Sequence, residues 1–381
     1  MTRRLIMHVG MPKTGTTTIQ EYLRVHHAEF SAEGMGVLGR NGHSNGGQMG
    51  DWLVEMDGIH HLPGFFFGQR DAVGNHFPDW DGASARLISS EALYVVGPRG
   101  VAEVLRYATD NDATCEVVAT VRNPVDWSWS RWTQWSKTEP LDWAQSVEQA
   151  RSHREGFLSR TLDPWLDSGG VRKVTLVSCE SPALVQRFLR AIGSSVQAED
   201  PPSYNVGDDF ITTLYRATLV WRIFGAHAHE ARFAFADADR GFTQRMLMDL
   251  MDKADPCRQM GPYFEARVRQ DPSIAAACIG TDSHEVVAAY AREWAADARS
   301  LIARSARAFD EESTRVVEDL VARAEEDADV LESGGPFRRP FPQRMHVLAM
   351  PINAQFVALA RSLAMSILLG QQAWDGSFLF R

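Results

Sequence analysis

Cysteine is scarce in this 381-residue sequence and carries no pattern. Cys115, Cys179, Cys257 and Cys278 form no CxxC pair and no Cys/His metal spacing. A disulfide framework and a zinc knuckle are therefore excluded, and Cys115 and Cys179, in or beside apolar runs, read as buried thiols suited to a reducing cytoplasm. Long apolar runs are also missing. No stretch reaches the ~18–20 residues that a membrane helix needs. The nearest, Met345 to Leu369, is broken by Pro351, Asn353 and Arg361. The N-terminal Met1 to Met7 is too short in its apolar part for a signal peptide. Excess positive charge is absent as well: the formal net charge is −10. That disfavours general nucleic-acid binding, and any anion must be held by positive charge concentrated in one pocket. There are no internal repeats and no low-complexity tract.

What is present is a chain long enough, at 44% hydrophobic residues, to bury a sizeable core. Short apolar runs at Leu5–Val9, Cys115–Val121 and Val174–Val177 read as buried strands, and Arg86–Glu91 as a strand that ends in polar residues. Helical spacing at Thr16–His27, Val101–Ala108, the Trp-rich stretch after Val121, and Ala183–Ile192 separates them. This alternation predicts an α/β fold: a P-loop-like parallel sheet flanked by helices. Gly34 to Gly50, with seven glycines, reads as a mobile surface loop or lid. His60 to Trp80 is irregular and carries Phe65, Phe66 and Phe67. Beyond Asp200-Pro201-Pro202 the spacing at Phe210–Phe224, Phe242–Asp252, His284–Ala308 and Thr314–Leu331 is helical, so the C-terminal half is expected to be mostly helical. The expected organisation is an α/β core over 1–200, a helical part over 201–305, and a helical C-terminal extension over 306–381.

Two segments carry chemistry. The first is His8-Val9-Gly10-Met11-Pro12-Lys13-Thr14-Gly15-Thr16-Thr17-Thr18, between the first strand and the first helix. Glycines allow backbone N–H groups to turn toward an anion, and the helix N-terminus adds partial positive charge. The hydroxyls of Thr16, Thr17 and Thr18 add donors. Gly10 and Gly15 have the spacing of the nucleotide-triphosphatase loop GxxxxGK[ST], but the residue after Gly15 is Thr16. The lysine stands inside the loop, as Lys13, where it can reach a bridging oxygen beside the group being transferred. The second segment is Val121-Arg122-Asn123-Pro124-Val125-Asp126-Trp127-Ser128-Trp129-Ser130. Arg122 offers a planar fork for phosphate oxygens. Asn123-Pro124 ends the strand, and the helix that follows presents Ser130, eight residues on. The competing reading of Arg122 is an ion pair, for instance with Asp126.

Pro12-Lys13-Thr14-Gly15-Thr16-Thr17 resembles the 5′-phosphosulfate loop of sulfotransferases that use 3′-phosphoadenosine 5′-phosphosulfate, and Arg122 with Ser130 resembles their 3′-phosphate motif. The resemblance covers residues 1 to 200 and extends to about 305; it is nearest to prokaryotic small-molecule and carbohydrate-type members. It implies that Pro12, Lys13, Thr14, Gly15, Thr16, Thr17, Thr18, Arg122 and Ser130 bind that donor, and that Lys13 acts on its leaving group. The family supplies a base near the end of the strand before the arginine strand, which here ends Ser89-Ser90-Glu91. Glu91 is the first candidate, and His43 in the glycine-rich stretch is its rival. No metal is required, because a sulfuryl group has fewer ionisable oxygens than a γ-phosphate. Trp127, Trp129, Trp132 and Trp135 read as core, with donor stacking as the alternative; Phe65–Phe67 could line an acceptor site, and Arg338 and Arg339 could reach the 3′-phosphate. The acceptor stays open among small molecules, carbohydrates and lipids. Two rivals remain: an ATP-dependent small-molecule kinase, whose lysine should follow Gly15 and which should need magnesium, and a catalytically inactive nucleotide-binding scaffold.

Overall fold

The computed structural model describes residues 2–38, 80, 82–135, 143–180, 183–197 and 282–334. His43, Phe65–Phe67, Arg338 and Arg339 and the helical segments expected at 210–224 and 242–252 lie outside them. The chain divides into two compact units. One comprises Met1–Arg131, Ser146–Val206 and His284–Phe337, and the other comprises Trp132–Gln145, Gly207–Ser283 and Arg338–Arg381. The fold described below is that of the first.

Its centre is a sheet of five parallel strands: β1 (Arg3–Gly10), β2 (Met35–Leu38), β3 (Ala85–Ser90), β4 (Ala113–Val121) and β5 (Val171–Ser178). Their order is β2-β3-β1-β4-β5. In β1, Leu5, Ile6, Met7 and Val9 are all fully buried. A strand covered on both faces must be apolar on both, which is why it reads as a continuous run and does not alternate. The helices are α1 (Thr16–Val25), α2 (His27–Ala32), α3 (Pro98–Asp110), α4 (Pro124–Trp135), α5 (Trp143–Ser152), α6 (Leu158–Asp167), α7 (Leu184–Ile192), α8 (Asp282–Arg304) and α9 (Glu311–Glu332). Ile19, Tyr22 and Leu23 of α1, Phe30 of α2 and Val185, Phe188 and Ile192 of α7 close over Ile6, Leu87, Val118 and Val177. In α3, Val101, Val104 and Ala108 recur at helical spacing and are buried.

One expectation is corrected. Residues 35–38, within the glycine-rich stretch read as a surface loop, form strand β2 and pair with β3. A Cβ on Gly36 within it would lie 2.1 Å from a guanidinium nitrogen of Arg86. Gly34, at φ +75°, makes the turn into the strand.

The far edge of the sheet is closed by the C-terminal helices. Val174 N–H donates to the Ala308 carbonyl (3.0 Å) and Leu176 N–H to Ser313 Oγ (2.9 Å). α9 packs against β5 with Val316, Val317, Leu320 and Val321 buried. An open edge strand presents unpaired backbone groups, and this segment covers them. No described helix is long and apolar enough to cross a membrane.

Candidate active site

The strand order makes the site. From β1 the chain moves to β2 and β3 on one side, then crosses to β4 on the other, so β1 lies at the switch point, where a parallel sheet opens a crevice beyond its carboxyl ends. Register places three segments there. Val9 pairs with Ser90, so Glu91 follows β3 beside the end of β1. Gly10 pairs with Thr120, so Arg122 leaves β4 on the other side. Lys13 belongs to the loop between β1 and α1.

That loop is held by its carbonyls. The Met11 carbonyl accepts Thr14 Oγ1 (2.6 Å) and Thr14 N–H (3.3 Å). The Pro12 carbonyl accepts Trp127 Nε1 (2.8 Å), and the Lys13 carbonyl accepts Arg122 Nη1 (3.1 Å). Thr14 is fully buried, and its hydroxyl also lies 2.7 Å from that of Thr120. Thr16 is buried, with Oγ1 at a long 3.5 Å from the Met11 carbonyl. These two side chains therefore shape the loop, while Thr17 and Thr18 are half-buried at the helix N-terminus. The first N–H groups of α1 have no intrahelical acceptor and carry the positive end of the dipole.

Two backbone positions are unusual. Gly15 caps α1 at φ +82°, and a Cβ there would meet Leu184 Cδ2 at 2.5 Å. Lys13 itself is left-handed, at φ 69°. A non-glycine residue held in that region costs energy, and such residues concentrate where a side chain must be aimed. At Gly10 an added Cβ would sit 2.2 Å from Thr16 Oγ1, so glycine lets the loop fold back on its own strand.

On the β4 side, Asn123 and Pro124 end the strand and start α4 as expected. Asn123 Oδ1 accepts from Val125 N–H (2.9 Å) and Asp126 N–H (3.2 Å), and Pro124 opens the helix. Ser130 lies two turns further along α4, half-buried. Asp126 lies 3.8 Å from Arg323 of α9, and Arg122 is bonded to the loop carbonyl. Arg122 Nε is buried with no hydrogen-bond partner among the described residues. The thiol of Cys179, just past β5, is pushed up to about 12, first by burial; Arg122 opposes the shift while Glu180 and Asp126 add to it. Arg122, Glu180 and Asp126 thus all act on the Cys179 thiol.

On the β3 side, Glu91 opens a 3₁₀ turn (Glu91–Val95) that is capped by Ser90 Oγ, which accepts Ala92 N–H at 3.2 Å. Glu91 is half-buried. Beneath the loop, His8 is fully buried with Nδ1 2.7 Å from Ser89 Oγ and its ring against Phe188. Burial lowers its pKa to about 3, so it stays neutral and belongs to the core. Among the described residues no group of three or more His, Cys, Asp or Glu side chains could hold a metal ion.

The structure thus brings Lys13, Glu91 and Arg122 to one end of three neighbouring strands, with Thr17, Thr18 and Ser130 on the helices that begin there. Two supporting residues, Thr120 and Asp327, were not singled out in the sequence. Trp127 and Trp129 are buried, as a core role requires, but Trp127 also bonds the loop between β1 and α1. Thr120 gives no sequence signal. Asp327 does: it stands on the apolar stripe of α9, between the buried residues Ala324 and Leu331.

Comparison with known proteins gives one match. Residues 3–164 match the family model of the sulfotransferase domain. No curated protein and no solved structure is similar enough to match. The matched span runs from β1 to α6 and contains both loops described above. Residues 3–164 are thus similar to a sulfotransferase domain.

Proposed function

We propose that this chain moves a sulfuryl group from 3′-phosphoadenosine 5′-phosphosulfate to a hydroxyl or amine of a small-molecule, carbohydrate or lipid acceptor. The observation that carries the reading is the 3.1 Å hydrogen bond from Arg122 Nη1 to the Lys13 carbonyl. It joins the two segments that the donor's two phosphate positions require, on one side of the sheet. The residues present fit such a ligand. The loop carbonyls are occupied by Trp127 and Arg122, which leaves N–H groups and the α1 dipole for a 5′-phosphosulfate. The buried Arg122 Nε, without a partner among the described residues, is a donor suited to a 3′-phosphate, with Ser130 as the second contact.

The donor supplies an activated sulfuryl group; the chain supplies placement and charge. Pro12, Thr14 and Gly15 shape the binding loop, and Thr16, Thr17 and Thr18 contribute N–H and hydroxyl donors. The Lys13 ammonium stabilises charge that grows on the leaving phosphate oxygen. A Glu91 carboxylate oxygen accepts the acceptor's proton, with His43 as the alternative base. Glu91→Gln should lower kcat by roughly 10²–10⁴-fold, the usual weight of a general base, with little change in nucleotide affinity. An unchanged rate would pass the base role to His43 or another group.

Thermal unfolding tests the donor assignment. Adenosine 3′,5′-bisphosphate at a hundredfold excess over its Kd should stabilise the chain by about 2.7 kcal/mol. Stabilisation by ATP with magnesium alone would transfer the reading to a kinase.

A further inference from the structure

The helix α9 lies beyond the matched residues 3–164, yet two of its side chains hold the turn that follows β4. Asn123 is fully buried and makes polar contacts on every side. Its Oδ1 caps α4, its N–H donates to Glu180 Oε1 (3.1 Å), and its Nδ2 donates to Asp327 Oδ2 (3.2 Å). Because capping commits the amide oxygen, the amide nitrogen needs an acceptor from elsewhere, and Asp327, 4% exposed, provides it. Glu180 is held in turn by Arg323 Nη1, whose Nη2 lies 3.8 Å from Asp126.

We infer that α9 is a positioning element of the nucleotide site, in which Asp327 and Arg323 hold the Arg122–Asn123 turn in the orientation that a 3′-phosphate requires. The inference rests on the donor reading above. Its physical basis is twofold. First, Arg122 directly precedes Asn123, so the turn's backbone and the amide plane of Asn123 together set where the guanidinium leaves the sheet. Second, Asp126 and Glu180 are two carboxylates at the turn that carries Arg122: Glu180 Oε1 accepts the Asn123 N–H, and the Asp126 N–H donates to Asn123 Oδ1. Left alone, they would compete with a phosphate for the Arg122 guanidinium. Arg323 engages both, so the site keeps a cation free of that competition. A carboxylate on the apolar stripe of a helix is costly unless it is bonded; Asp327 meets that condition through the turn it positions.

The test compares adenosine 3′,5′-bisphosphate with adenosine 5′-phosphate, by calorimetry on the full chain. In the wild type the bisphosphate should bind more tightly. Asp327→Ala should reduce that preference roughly tenfold, the equivalent of one charge-assisted hydrogen bond, while affinity for the 5′-phosphate changes little. Asp327→Asn, which keeps a carbonyl acceptor, should retain the preference. Arg323→Ala, at a half-exposed site that a folded chain tolerates, should reduce it in the same direction and more so at low salt. An unchanged preference in Asp327→Ala and Arg323→Ala, or equal weakening of both nucleotides, would make α9 merely structural and overturn the inference. A wild type without any preference would overturn the donor reading itself, and the inference with it.

Discussion

Lys13→Ala is expected to lower kcat by roughly 10²–10³-fold, the loss seen when one preorganised donor to developing charge is removed. The fold should survive, because the loop is braced through its backbone carbonyls. The Lys13 carbonyl, not its ammonium, accepts from Arg122, and the neighbouring Pro12 carbonyl accepts from Trp127. Backbone conformation adds a second, opposite expectation. Lys13 sits at φ 69°, a region costing an L-residue roughly 1–2 kcal/mol that glycine does not incur. Lys13→Gly should therefore be at least as stable as the wild type and still be as slow as Lys13→Ala. A variant that gains thermal stability while losing turnover separates the side chain's chemistry from the loop's shape. Steady-state kinetics with any accepted substrate, alongside unfolding temperatures of both variants, reads the two effects. Near-normal turnover in either variant would remove the ammonium from the mechanism.

Most of the α/β core was legible because its strands are buried on both faces. Leu5–Val9 and Cys115–Val121 are runs that only a two-sided burial explains, and they are observed as Arg3–Gly10 and Ala113–Val121. Arg122 was placed correctly because Asn123-Pro124 is a strong local signal: one residue caps α4 and the other opens it. β2 was lost for the opposite reason. Met35–Leu38 is an edge strand of four residues between glycines, and what makes it a strand is its partner β3. The closing of β5 by Ala308 and Ser313 was invisible too, since a hydroxyl that satisfies a backbone N–H from 137 positions away leaves no local pattern. The supporting shell of the site follows the same rule. Trp127 reads as core from its neighbours in sequence, and its bond to Pro12 exists only because β1 and β4 are adjacent.

Arg122→Ala should weaken binding of adenosine 3′,5′-bisphosphate by about 10²-fold, the sum of one or two charge-assisted hydrogen bonds at roughly 1.5–3 kcal/mol each. The size of the loss follows from the guanidinium's two tasks. Nη1 braces the Lys13 carbonyl, so its removal should loosen the loop proposed to receive the 5′-phosphosulfate. Nε, buried and without a partner among the described residues, is the donor proposed for the 3′-phosphate. Loop loosening affects every nucleotide alike, whereas loss of the 3′ contact affects only ligands that carry that phosphate. Adenosine 5′-phosphate therefore measures the first task and the difference between the two ligands measures the second. Arg122→Lys sharpens the distinction: an ammonium keeps charge near the phosphate but cannot span both partners with a planar fork, so it should recover part of the 3′ preference. Should both nucleotides lose affinity equally in Arg122→Ala, the arginine acts as a brace alone and the 3′-phosphate must be read elsewhere.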